Sequence, residues 1–363
     1  MNRIALSFIV IASILSCKDK VPQPKLPIFE VMANMQKVKL SNLVDSIQYL
    51  PLETNDSSLI GNISRIVATP HQIFVGDRLA NSVFVFNKQG KFLHKICRQG
   101  RGPEEYIRLY DFDVNEQDSS IYFYCGTHIQ IYDYNGNYKQ TVPIDSSLFP
   151  TTMAVSNHCI YLSMNYNTCL EDQPYNSIFI DSKGNIIEKS SPYPKEIAGQ
   201  INYSPRLSFR FRHDTLLYFN NFEYIIHEYI QGHSTPKFKL NFNEHEIPPI
   251  HSQNIENLQR THFQNYALLY NIAYIKGKYY ILFLMNDMKY LSVIYPQKGI
   301  IRTVNISTDL EYDNSLTPHF LDFNCIENNS FVTYYEWSDA PELFSKLKLS
   351  ADHNPIIVFY HIK

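Results

Sequence analysis

The sequence predicts an all-β protein, a six-bladed β-propeller of four-stranded antiparallel blades. Three observations predict it. A glycine-bearing hairpin recurs five times, and six short apolar strands punctuate the chain ahead of such turns. Tyr (27) and Phe (23) are abundant, while Gly (12) and Trp (1) are scarce. Aromatic and β-branched side chains suit pleated, half-buried surfaces and argue against a helical bundle.

The hairpin is clearest in Phe84 to Leu93, where two apolar strands flank Asn87-Lys88-Gln89-Gly90. It returns around Gly136, Gly184, Gly232 and Gly299. Glycine suits these turns because they need a positive φ that other residues resist. The first four glycines are almost evenly spaced, within the period of about 40–50 residues that marks propeller blades. The longer gap before Gly299 reads as a polar insertion over residues 241–263, with a short rim helix over residues 253–261.

The strand markers are Ile73-Phe74-Val75, Ile121-Tyr122-Phe123, Ile160-Tyr161-Leu162, Leu216-Leu217-Tyr218, Tyr280-Ile281-Leu282 and Phe331-Val332-Thr333. They are read as the inner strands, with loops after them gathering over the central channel. Period-two alternation with Gly turns excludes a solenoid of helix pairs; a β-sandwich of unequal strands is the structural alternative. A propeller must hide its first and last edges. The segment Ser46 to Leu52 is therefore expected to pair with Pro355 to Tyr360 in one blade.

The N-terminus reads as a targeting segment: Arg3, then an apolar run from Ile4 to Leu15 too short to span a bilayer. Ile14-Leu15-Ser16-Cys17 resembles a bacterial lipobox, which implies cleavage before Cys17 and acylation of its thiol. An incidental cysteine after an ordinary secretory signal is the plain alternative. The domain organisation is residues 1–16 as signal peptide, 17–37 as lipidated tether, three of its residues proline between Val21 and Pro27, and 38–363 as the propeller. Lipid attachment needs no spanning helix. The expected location is the cell envelope, as an outer-membrane lipoprotein facing the periplasm or the surface.

Charge is nearly balanced, 32 Lys+Arg against 35 Asp+Glu, net −3. That excludes a general nucleic-acid binder, which shows a basic face. Cys97, Cys125, Cys159, Cys169 and Cys325 follow no disulfide framework and no C-x-x-C spacing; buried thiols are expected, with a Cys159–Cys169 bridge as the alternative. His213, His227 and His361 sit in strand-like runs and read as packing residues. Asp133 to Asn137 has a faint calcium-loop spacing but fits a hairpin turn better.

The run Gln99-Gly100-Arg101-Gly102-Pro103-Glu104-Glu105-Tyr106 resembles a conserved segment of the six-bladed β-propeller lipoproteins of Bacteroidetes, which are similar to NHL-repeat propellers. Asp45 to Thr54 and Asn354 to Tyr360 resemble that family's opening and closing strands, so the resemblance covers nearly the whole chain after the leader. Glu104 stands where the family often has glycine. The resemblance implies fold and location rather than an activity.

Asp77, Glu223, Asp287 and Glu336 lie in loops of different blades. Such a ring could converge on a cation, with calcium the suitable ion; otherwise no cofactor is expected. The plain reading is solvated loop tips and turn-stabilising acids. Arg78 joins this group, and Arg101, with Arg98, could clamp an anion, although a rigid blade-to-blade connector accounts for the Gly-Pro run. Trp337, beside Tyr334 and Tyr335, could make a sugar-stacking platform. The expected function is a non-enzymatic binding or scaffold module, anchored in the membrane by lipid, for a glycan, peptide or protein. The alternative is a metal-dependent lyase or hydrolase at the channel mouth.

Overall fold

The computed structural model describes residues 26–363 except 33–34, 168–171, 202–208, 210, 213, 251, 262, 308–322 and 324. Cys17, Cys169 and His213 lie outside the described residues. The chain opens with three strands that serve blades formed much later: β1 (Ile28–Glu30), β2 (Met35–Lys39) and β3 (Val44–Pro51). The blades then follow in order. Blade 1 is β4 (Ile63–Ala68), β5 (Gln72–Asp77), β6 (Ser82–Asn87) and β7 (Phe92–Ile96). Blade 2 is β8 (Asp111–Asn115), β9 (Ser120–Tyr124), β10 (His128–Asp133) and β11 (Tyr138–Pro143). Blade 3 is β12 (Thr152–Val155), β13 (Ile160–Ser163), β14 (Tyr175–Ile180) and β15 (Ile186–Pro192).

Blade 4 holds β16 (Leu216–Tyr218), β17 (Ile225–Ile230) and β18 (His233–Asn241), with β1 added parallel to β18. Blade 5 holds β19 (Leu268–Ile275), β20 (Lys278–Met285), β21 (Met288–Tyr295) and β22 (Ile300–Ser307), with β2 added parallel to β22. Blade 6 holds β23 (Cys325–Glu327), β24 (Ser330–Tyr335) and β25 (Ile356–Ile362), and β3 completes it antiparallel to β25. Residues 28–30 and 35–39, read above as part of the tether or its edge, are thus strands of the propeller. They cover the outer edges of two blades, where unpaired main-chain groups would otherwise stand open.

The expected closure of N-terminal strand on C-terminal strand is present, from Pro51 opposite Ile356 to Val44 opposite Ile362. Asn354 latches it. Its Nδ2 donates to the carbonyls of Glu53 and Ser58, both at 2.7 Å, and its Oδ1 accepts from the Ile60 amide at 3.0 Å. This arrangement also explains why the glycine hairpin occurs five times and not six. In blade 6 the third and fourth strands come from opposite ends of the chain, so no turn joins them.

All five turn glycines have positive φ, from 63 to 89°. In three of the turns an Asn or Asp accepts main-chain N–H groups two and four residues on: Asn87, Asp133 and Asp181. Asp133 is therefore a turn residue, not part of a calcium loop. The insertion between blades 4 and 5 carries the expected rim helix, α1 (Ser252–Arg260); a second helix, α2 (Pro341–Lys346), follows β24.

The tyrosines and phenylalanines join neighbouring blades. Phe74 packs on Tyr134 between blades 1 and 2, with ring centroids 5.0 Å apart. Phe179 stacks on Tyr229 at 4.0 Å between blades 3 and 4, Phe242 meets Phe283 at 4.9 Å between blades 4 and 5, and Tyr280 meets Phe331 at 5.5 Å between blades 5 and 6. An aromatic side chain buries about 150–250 Å², so each contact fills much of the wedge between two sheets.

Candidate functional site

Antiparallel alternation sorts the connections onto two faces. Blade-to-blade crossings and second-to-third-strand loops share one face, the crossover face. First-to-second and third-to-fourth hairpins share the other, the hairpin face. The six strand markers are the second strands of their blades, not the innermost. β4, β8, β12, β19 and β23 lie nearer the axis, and in blade 4 Arg212 bridges antiparallel to Thr215 just ahead of β16. The inner strands escaped detection because polar residues interrupt their apolar runs, Arg65 in β4, Asp111 and Asp113 in β8 and Asn271 in β19.

On the axis, Arg65 of β4 is buried, 4 % exposed. Its Nη1 donates to Asp111 Oδ2 and to the Met153 carbonyl, both at 2.9 Å, and its Nη2 to the Phe209 carbonyl at 2.8 Å. Asp113 Oδ1 lies 3.6 Å away. Burial works against the guanidinium charge, but Asp111 and Asp113 outweigh it and hold its pKa above the ordinary value. The two aspartates also accept main-chain N–H groups from the next blade, Met153 at 2.9 Å and Val155 at 3.0 Å. One cation thereby ties blades 1, 2 and 3 to the segment leading into blade 4.

The sequence-derived candidates lie on the crossover face, and their surroundings differ. Asp77 is buried, and its carboxylate accepts four main-chain N–H groups: Gly61 (2.6 Å), Leu79 (2.7 Å), Ala80 (2.9 Å) and Asn62 (3.3 Å). Its neighbour Arg78 is exposed. Asp287 sits with Asn286 in a two-residue turn, both at positive φ, and faces solvent. Glu336 is exposed at the start of a turn where its amide donates to Asp339 Oδ2 at 3.1 Å. Trp337 is 43 % exposed, but Tyr335 is fully buried and bonded to Tyr360 Oη at 2.7 Å, so the aromatic trio does not share a surface. Among the described residues no three His, Cys, Asp or Glu side chains are grouped as metal ligands would be.

Glu223 is different in kind. Burial raises its pKa. Asn220 Nδ2 donates to it at 3.2 Å, and His227 Nε2 stands 3.9 Å away, too far for a hydrogen bond. His227 stacks on Tyr218, and burial lowers its pKa to about 4. The pair belongs to a polar seam between blades 3 and 4, in which Asn220 also bonds Ser191 and Ser177.

Arg101 is exposed in the Gly-Pro run, which behaves as a connector. The Gly100 amide donates to the Tyr106 carbonyl and the Tyr106 amide to the Arg98 carbonyl, Tyr106 Oη donates to the Asn81 carbonyl at 2.8 Å, and Gln130 Nε2 donates to the carbonyls of Pro103 and Glu105. Arg98 Nη2 reaches the Gly136 carbonyl at 3.1 Å. Glu104, the departure from the family pattern, offers its own carbonyl to Tyr132 Oη at 2.9 Å, so the run keeps its path without a glycine there. Of the cysteines expected to be buried, Cys159 and Cys325 are, whereas Cys125 is half-buried and Cys97 is exposed.

The main cavity opens on the hairpin face. It has a volume of about 740 Å³ and is framed by the first hairpin of every blade, with Ala68, Asn115, Asn157, Arg212, Tyr274 and Asn328 as one representative of each. Val114, Val155, Phe209 and Ile272 provide apolar surface within it. Its volume falls within the range of about 300–1,000 Å³ usual for small-molecule sites. Its residues come from short first-to-second-strand turns, which resemble solvated loop tips in one dimension. A charged Arg65 inside an apolar strand and the paired Asp111 and Asp113 were sequence signals for the axial cluster behind the cavity, not for its lining.

Solved structures of other proteins share the architecture, two of them from Bacteroides. One, from Bacteroides fragilis, is described as an exported protein; it is 16 % identical, covers 93 % of this chain and 99 % of its own, and superposes with a TM-score of 0.69. The other, a member of the DUF4221 family from Bacteroides vulgatus, is 10 % identical, covers 88 % and 97 %, and has a TM-score of 0.55. At these identities the similarity speaks for the fold. No curated protein matches the sequence. A family model does match, over residues 24–361, and the chain belongs to that family, Domain of unknown function (DUF4934).

Proposed function

We propose that this chain is a lipid-anchored binding or scaffold module of the cell envelope, an outer-membrane lipoprotein facing the periplasm or the surface. It holds a glycan, peptide or protein partner at the channel mouth on its hairpin face. The observation that carries this reading is the cavity of about 740 Å³, to which all six blades contribute a hairpin. Loops on a rigid scaffold are where binding residues concentrate. The propeller holds these six turns in place with the axial Arg65 cluster behind them.

The leader supports the anchor through its apolar run and the cysteine at its end. Detergent phase partitioning tests this half: the chain enters the detergent phase and Cys17→Ala moves it to the aqueous phase. A Cys17→Ala variant that partitions like the parent removes the anchor. Hydrogen exchange tests the other half. Adding a solubilised envelope fraction is expected to protect residues 114–117, 155–157, 271–276 and 325–329. Protection confined to the crossover face would overturn the site.

A further inference from the structure

We infer that the mouth cavity is built for an uncharged oligosaccharide, a reading that rests on the cavity being the binding site. Among the described residues its charged lining groups already have partners within the chain, Asp214 facing His158 at 3.7 Å. Lys237 Nζ pairs with Glu228 at 2.6 Å, and Glu327 pairs with Lys88 at 3.4 Å. Arg212 directs Nη1 to the Tyr274 carbonyl at 2.5 Å and Nη2 to the Asn328 carbonyl at 3.2 Å. Lys276 Nζ donates to the Ile362 carbonyl at 2.8 Å. Burial pushes the Tyr279 hydroxyl up to about 12, so it too stays neutral. An ionic ligand would have to break the Lys237–Glu228 or Lys88–Glu327 pair and leave a partner uncompensated, or displace the carbonyls that hold Arg212 and Lys276.

What the cavity offers instead is planar amides beside an aromatic ring. Gln117, Asn157 and Asn329 are exposed lining residues. Asn157 Oδ1 is engaged by Asn115 at 2.7 Å, which leaves its NH₂ group directed to other partners. A side-chain amide donates and accepts within one plane, which matches the adjacent hydroxyls of a pyranose. Tyr274, 41 % exposed and braced by Tyr279 at a centroid distance of 4.7 Å, offers an amphipathic ring for the C–H face of a sugar. An extended peptide that adds a strand needs a free sheet edge, and capture of a chain terminus needs a pocket of unpaired donors or charge. This rim is made of closed hairpins, and its Lys237, Glu228 and Glu327 are in ion pairs.

Isothermal titration calorimetry on the mature full-length chain tests the inference, with short neutral cello-, malto-, xylo- and manno-oligosaccharides as probes. Oligogalacturonate and a mixed peptide library serve as charged and peptidic competitors. At least one neutral series is expected to bind. Tyr274→Ala should weaken it by about tenfold or more, the scale of one lost stacking contact, and Tyr274→Phe should retain it. If oligogalacturonate or peptide binds instead and Tyr274→Ala abolishes that binding, the site stands and the ligand class falls. Neutral sugar binding untouched by both Tyr274→Ala and Asn329→Ala would overturn the site itself.

Discussion

Arg65 Nη1 donates to Asp111 Oδ2 at 2.9 Å on the propeller axis, with both side chains at least nine-tenths buried. The pair sits where inner strands of successive blades converge, and the same guanidinium reaches carbonyls of two further segments. Arg65→Met would leave Asp111 and Asp113 buried without their cation, a loss of about 3–5 kcal/mol. Guanidinium unfolding measures it. A loss below about 1 kcal/mol would show that the pin contributes little beyond its own desolvation. Adding Asp111→Asn to Arg65→Met should recover part of the loss, because one uncompensated charge is then gone.

Asp77 makes a related prediction on the crossover face. Its carboxylate is occupied by four main-chain donors, so Asp77→Ala leaves four partly buried N–H groups without their acceptor and should cost about 1–3 kcal/mol. Calcium should not change this cost. A calcium-dependent rise in Tm that disappears in Asp77→Ala would restore the acid-ring reading.

Two hairpin glycines with nearly the same φ should respond differently to alanine. A Cβ on Gly90 would lie 2.2 Å from the Pro51 carbonyl oxygen of the closing strand, whereas a Cβ on Gly232 meets nothing within 4 Å. Gly232→Ala should therefore cost about 1 kcal/mol, the backbone penalty alone. Gly90→Ala must also displace the β3 backbone, and a loss more than twice as large is expected. Equal losses in thermal or chemical unfolding would mean that the Pro51 contact relaxes freely.

The buried seam between blades 3 and 4 makes stability depend on pH. The folded pKa of His227 is lowered to about 4 from 6.5, so the unfolded chain takes up the proton first as pH falls. Stability is then lost between about pH 6.5 and 4, by about 3 kcal/mol in full. Glu223, whose pKa burial raises, works in the opposite sense, since the folded chain binds its proton more tightly. His227→Phe keeps the ring on Tyr218 and should flatten the acid limb of the stability curve. An unchanged limb would assign the acid loss to other groups.

Much of the architecture was legible in one dimension because its signals are local. A positive-φ turn demands glycine, so Gly90, Gly136, Gly184, Gly232 and Gly299 marked five hairpins. The missing sixth followed from closure, with Asn354 holding the join. The site was less legible. Inner strands such as β4 and β8 carry Arg65, Asp111 and Asp113 among their apolar residues, so their hairpins gave no periodic signal, and the candidate acids stand on the opposite face. Even the tether held two strands, β1 and β2, because an edge-covering strand needs only three to five residues and no turn of its own.

The sequence by itself determined the blade repeat, the turn chemistry, the pairing of the Ser46–Leu52 segment with the last strand, and the near-balance of charge. Each depends on neighbouring residues or on composition. Only the tertiary structure decided that Arg65, Asp111 and Asp113 meet on the axis and that Tyr274, Gln117 and Asn329 share a cavity. Those residues come from different blades, and what brings them together is the closing of the ring, a global constraint that leaves no mark on any one stretch of chain.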